Sequence, residues 1–130
     1  MVKPAQGLLA RRAEQSAADR ARIYKKMHDV GANVTCCPRA AIGMKQHRDK
    51  LGPIHNSIAP VDELLAARVN VSLGTDNISD IFIPNSNGDM FDEVNLLADG
   101  VRVYNLDTLV RVATENGART MKLEWTDTRK

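Results

Sequence analysis

Two helix-then-strand repeats predict an α/β fold with a parallel sheet. The first is an amphipathic stretch over residues 16–30, then Gly31, then a strand-like run over 33–37. The second is a shorter helix over 60–67, followed almost at once by an alternating run over 69–73. A helix that returns the chain to a short β run is the second half of a βαβ unit, and parallel strands require such crossovers. The third observation is how the second strand stops. Val69, Val71 and Leu73 alternate with Asn70 and Ser72, Gly74 breaks the run, and Thr75, Asp76 and Asn77 follow. Polar groups beyond the carboxyl end of a parallel strand stand where α/β proteins gather ligands and catalytic groups. A carboxylate there binds a metal, shuttles a proton or accepts a phosphoryl group. The plainer alternative is an Asx-turn or a cap for the next helix.

Each element has its own local reason. Ser16 or Asp19 caps the first helix, and Ala17, Ala21, Tyr24, Met27 and Val30 fall near one face. Arg20, Arg22, Lys25 and Lys26 then read as its solvated side, and His28 near its end as structural. Gly31 suits the left-handed residue that closes a helix. Pro38 stops the first strand, and residues 39–60 read as a long connection carrying His47 and His55. Pro60 suits the first turn of the second helix, with Asp62 and Glu63 beside the positive end of its dipole. Residues 89–103 form the strongest amphipathic pattern, with Asp89 as cap and Met90, Val94, Leu97 and Val101 on one face. Asn105 caps a further helix over 106–116 that buries Leu109, Val112 and Ala113; Gly117 interrupts it, and 118–123 adds a turn or two.

Composition sets outer bounds. The chain has 130 residues, the length of one domain, with 43% hydrophobic and 26% charged residues. A net charge of +2 and 4% aromatics argue against a nucleic-acid partner. No apolar run approaches the roughly 18 residues of a membrane span. Residues 1–15 are Ala- and Arg-rich but lack the apolar core of a secretory signal. Cys36 and Cys37 are adjacent, so on a strand they point to opposite faces and do not pair with each other. That cysteine usage suits a reducing cytosol, and a cytoplasmic location is expected.

With these elements in order, four runs carry a resemblance. They are Val34-Thr35-Cys36-Cys37-Pro38, His55-Asn56-Ser57-Ile58-Ala59-Pro60-Val61, Gly74-Thr75-Asp76-Asn77-Ile78-Ser79-Asp80 and Ala113-Thr114-Glu115-Asn116-Gly117-Ala118. Their order and distance resemble the metal-dependent amidohydrolase superfamily, nearest to its cytosine deaminase-like branch. The resemblance implies a (β/α)8 TIM-type barrel, with residues 33–37 matching its seventh strand and 69–73 its eighth. It implies a divalent metal, zinc or iron, with Asp76 as a metal ligand and as the catalytic carboxylate that handles the proton of the attacking water. Asn77, Asp80 and His55 are then the expected substrate-binding residues. The implied substrate is a small nucleobase-like molecule or another cyclic amidine, attacked by hydroxide with loss of ammonia.

The family pattern also needs a His-x-His pair after its first strand and histidines after its fifth and sixth, and none of these stands in the chain. The expectation is therefore a fragment: the last two strands of a barrel and their helices, with 16–123 barrel-like, 1–15 poorly matched and 124–130 a polar tail. Open sheet edges in such a fragment favour self-association. The isolated chain is expected to be inactive, and a catalytically inactive remnant acting only as an interaction module is the alternative. A phosphorylatable receiver domain is a poorer match, because residues 1–19 offer no acidic pair and Lys3-Pro4 stands at the wrong end.

Overall fold

The computed structural model describes residues 16–43, 57–81, 83–124 and 126. In chain order these form α1 (Ala17–Asp29), β1 (Asn33–Cys36), α2 (Pro38–Gly43), α3 (Val61–Ala66), β2 (Asn70–Leu73), α4 (Met90–Val101), α5 (Leu106–Ala113) and α6 (Glu115–Thr120). The strands β1 and β2 are adjacent and parallel, with Asn33 opposite Asn70, Val34 opposite Val71, Thr35 opposite Ser72 and Cys36 opposite Leu73.

The register divides the sheet into two faces. Val34, Cys36, Val71 and Leu73 belong to one hydrophobic core with Val61 and Leu64 of α3, Leu97 of α4, and Leu109 and Val112 of α5. The other face is polar. Asn70 donates to Asn33 Oδ1 at 2.8 Å, and the Thr35 and Ser72 hydroxyls lie 3.3 Å apart. Ser72 is buried all the same, because Thr120 of α6 reaches its hydroxyl at 3.4 Å. The Gly74 N–H bonds Cys36 O at 2.9 Å, so the even-numbered residues of β2 turn their backbone toward β1. Val71 then faces the outer edge, and its carbonyl accepts from Asn116 Nδ2 at 2.8 Å. A side-chain amide from α6 thus satisfies part of an edge that would otherwise be bare.

Side-chain caps stand at three of the six helix starts among the described residues, as the sequence suggests. Ser16 accepts from the Asp19 N–H, Asp89 from Phe91, and Asn105 from Thr108. Other expectations need correction. The connection after β1 is not all loop: Pro38 opens α2, since its ring suits a first helical turn and lacks an N–H that would go unbonded there. Pro60 stands one residue before α3. Helix α4 ends at Val101 because Arg102 turns into the left-handed region at φ 60°. The expected break at Gly117 falls at Thr114, whose φ and ψ of −133° and −84° leave the helical region, and Gly117 lies inside α6. Val30 is 72% exposed rather than on the packed face. Arg20 is not merely solvated: its Nε and Nη2 grip Glu63 at 2.8 and 2.9 Å and tie α1 to α3. Gly100, a poor helix former by composition, has a packing reason, because a Cβ there would collide with Ile58 Cδ1. No helix among the described residues is long and apolar enough to cross a membrane.

Candidate active site at the strand carboxyl ends

Because β1 and β2 run parallel, the residues that leave their carboxyl ends meet on one side of the sheet. Cys37 follows β1, and Gly74 to Asn77 follow β2. Gly74 is required for their approach: a Cβ there would lie 2.9 Å from Thr35 Cγ2 and 3.3 Å from Cys37 Sγ. Asp76 stands in the left-handed region at φ 58°, a conformation Asp tolerates better than most residues. Its Oδ1 accepts from the Asn77 N–H at 2.8 Å. Asn77 donates in turn to Asp80 Oδ2, and Asp80 Oδ1 accepts from the Ile83 N–H at 2.8 Å. Ser79 closes the loop by donating to Ser86 O at 2.6 Å. The expected site residues Asp76, Asn77 and Asp80 are thus brought together, in a loop that also uses them to hold its own turn. His55 and His47 lie outside the described residues.

Two acidic groups bear on the Cys37 thiol. Burial pushes it up, the charges of Asp76 and then Glu93 push it further, and a hydrogen bond from the Asp76 backbone only partly offsets them. Cys36, on the core side, is pushed up to about 11 by burial. Neither thiol is a thiolate near neutral pH, and both are free. The two neighbours therefore take opposite faces, as their adjacency requires.

Glu93 is the residue that sequence reasoning missed. It is 1% exposed, on the inward side of α4. Its Oε2 accepts the Arg39 N–H at 2.9 Å at the start of α2, and its Oε1 pairs with Arg39 Nε at 3.6 Å. Arg39 also bonds Asp92 Oδ2 at 3.0 Å, and Asn87 bonds the same oxygen at 2.7 Å. The signal was present: Glu93 falls within the stripe of Met90, Val94 and Leu97, and a carboxylate in an apolar stripe must have a buried partner.

The resemblance implies a divalent metal, which needs several donors in one place. Among the described residues, no three His, Cys, Asp or Glu side chains come together to hold a metal ion. Among the described residues at the mouth, Asp76 accepts from the Asn77 N–H, Asp80 from Asn77 and Ile83, Glu93 is committed to Arg39, and Cys37 keeps its proton. The one described histidine, His28, lies at the other end of the sheet, where its Nδ1 meets Arg68 O at 2.9 Å just ahead of β2. The described residues do not by themselves make a metal centre.

Carboxylate and amide groups thus stand beyond the carboxyl ends of a parallel strand pair, the end at which α/β proteins gather ligands. No family model matches the chain. It is 39% identical over 75 residues to the 5-methylthioadenosine/S-adenosylhomocysteine deaminase of Thermococcus kodakarensis, a match covering 52% of this chain and 17% of that protein. To the deaminase of the same name from Haloarcula marismortui it is 35% identical over 97 residues, covering 69% of this chain and 19% of the relative. Its fold is similar to the crystal structure of 5-methylcytosine deaminase from Klebsiella pneumoniae, with a TM-score of 0.74, 22% identity, and coverage of 84% of this chain and 27% of that one. The chain belongs to the amidohydrolase superfamily, and its named relatives are deaminases. It spans under a fifth of the length of these sequence relatives.

Proposed function

We propose that the chain forms part of a hydrolase that removes an exocyclic amino group from a nucleobase-type ring, with Asp76 as the proton-handling carboxylate. The carrying observation is the place of Asp76, directly beyond β2 and beside Cys37, in a fold similar to that of a deaminase. In this reading β1 and β2 are the last two strands of a (β/α)8 barrel. Asp76 takes a proton from the attacking water, the oxygen adds to the carbon bearing the amine, and the proton passes to the leaving nitrogen. The C–N bond breaks, ammonia departs, and the water's second hydrogen ends on the ring nitrogen, leaving a ring carbonyl. Asn77, Asp80 and His55 orient the ring. The sequence relatives favour an adenine-type ring, and the solved neighbour a cytosine-type one. The metal is zinc or iron; Asp76 supplies one ligand, and the others come from residues outside those described.

One observation favours the second reading, an inactive module that only associates with another chain. Asp76, Asn77 and Asp80 are all engaged in bonds of their own loop, with no three-ligand cluster beside them among the described residues. Ammonia release separates the two. The 130-residue chain with added zinc or iron is expected to release none from cytosine, 5-methylthioadenosine or S-adenosylhomocysteine. A polypeptide that also supplies the remaining strands is expected to be active, and Asp76→Asn to lower its turnover by about 10²–10⁴-fold. Turnover untouched by Asp76→Asn would remove Asp76 from the mechanism. Turnover by the chain alone, lost in Asp76→Asn, would show that these residues assemble a complete site.

A further inference from the structure

A second hollow lies at the amino end of β2, at the opposite end of the strand from Asp76. It encloses about 400 Å³ between the turn after α3 and the helices α5 and α6. That is enough for a small organic ion. Val69 and Val112 give it an apolar part, Asn116 a polar one, and Arg68, Arg111 and Arg119 line it with positive charge. Two of these arginines are held together. Glu115 takes Arg111 at 3.3 Å and Arg119 at 2.8 Å, so one carboxylate sets two guanidiniums side by side. Arg119 also reaches Asn70 Oδ1 at 3.5 Å.

The third arginine enters from another element and at a conformational cost. Arg68 stands at φ 61°, where a Cβ is strained and glycine is not. Its carbonyl meets His28 Nδ1 at 2.9 Å, while its guanidinium has no hydrogen bond or ion pair among the described residues. Arg68 lines both this hollow and the one between α1 and α3, and a strained residue that glycine would relieve, with a charge committed to no described partner, points to a ligand rather than to stability.

We infer that this hollow binds a small phosphate ester. Three guanidiniums against one carboxylate leave an excess of positive charge. Guanidinium forks match phosphate oxygens, and a tetrahedral phosphate offers oxygens to arginines arriving from two directions, whereas a carboxylate offers one plane. The valines accept a short carbon body. The inference is independent of the deaminase reading, because no residue of the Asp76 loop takes part.

The test is an NMR titration of the isotope-labelled full chain with inorganic phosphate, glycerol phosphate and acetate at constant ionic strength. Both phosphates should give saturable shifts at the Val69, Asn70 and Val112 amides, with acetate clearly weaker. Arg68→Gly and Arg68→Gln should each weaken phosphate binding about tenfold, the loss of one charged hydrogen-bonding group. Arg68→Gly should at the same time raise the melting temperature, which shows that the fold survives. Exposed Arg22, on α1, serves as control, and Arg22→Gln should change nothing. Shifts that do not saturate, that acetate matches, or that survive both Arg68 variants would overturn the inference.

Discussion

At the scale of the residue, Gly74 and Cys36 make opposite demands on the strand ends. Gly74 admits no side chain, since a Cβ would press on Thr35 Cγ2 at 2.9 Å and Cys37 Sγ at 3.3 Å. Gly74→Ala is expected to destabilise the chain by about 1–3 kcal/mol, the cost of overpacking. Adding Thr35→Ser removes the nearer contact and should recover part of the loss in urea unfolding. Cys36 contributes to alkaline stability, alongside Cys37 and Tyr24, which burial also pushes up. Its folded value, pushed up from 9.0 to about 11, means that the unfolded chain releases this proton first. The stabilisation is complete below pH 9.0 and is lost as the pH rises toward about 11. Urea unfolding repeated across that range should show falling stability in the native chain, and a shallower fall in Cys36→Val.

At the scale of the element, α1 is held by one ion pair together with two partly buried side chains. None of its residues is fully buried. Tyr24 and Met27 pack against the core, and the Arg20–Glu63 pair joins the helix to α3. The hydrogen bond from Arg20 holds the Glu63 carboxyl below its ordinary 4.5. A lowered carboxyl contributes stability above its unfolded value and loses it as the pH falls through the folded one. Hydrogen exchange in α1, corrected for intrinsic rates, should therefore accelerate below pH 4.5 before the amides of β2 respond. In Arg20→Gln that early acid phase should disappear and α1 should exchange faster throughout; equal protection of α1 in both chains would refute the clamp. The α5–α6 break shows another element effect. Thr114 leaves the helix, and Asn116, 6% exposed, bonds the Val71 carbonyl. Asn116→Ala leaves that acceptor without its protein partner and should cost about 1–3 kcal/mol in thermal unfolding.

At the scale of the molecule, the described residues form a two-stranded sheet and leave β1 with an outer edge that none of them pairs. Cys36 and Val34 turn their backbone toward β2, so the N–H of exposed Thr35 points outward. An unpaired strand edge is a template for another strand. We expect concentration-dependent association in sedimentation experiments. Thr35→Pro removes the outward N–H and, apart from the Thr35–Ser72 hydroxyl contact, leaves the backbone ladder to β2, and association should weaken; association unaffected by this change would place the contact elsewhere, with exposed Phe91, Ile78 and Ile81 as the next candidates.

The sequence by itself determined what depends on neighbours in the chain. The alternation of Val69, Val71 and Leu73, the caps at Ser16, Asp89 and Asn105, and the parallel order of two helix–strand repeats were legible because periodicity and capping act over a few residues. So was the place of Asp76 beyond a strand end, given the Gly74 break. Contacts across long separations were decided only by the tertiary structure. Arg20 and Glu63 are 43 residues apart, and Arg39 and Glu93 are 54 apart. No local pattern tells a solvated arginine from one that meets a carboxylate on another helix. The start of α2 combines the local fit of Pro38 with the bond from the Arg39 N–H to Glu93 across space, and the break at Thr114 goes with Asn116 at Val71. Local propensity is a weak force, and a buried carboxylate or an edge carbonyl that must find a partner outweighs it.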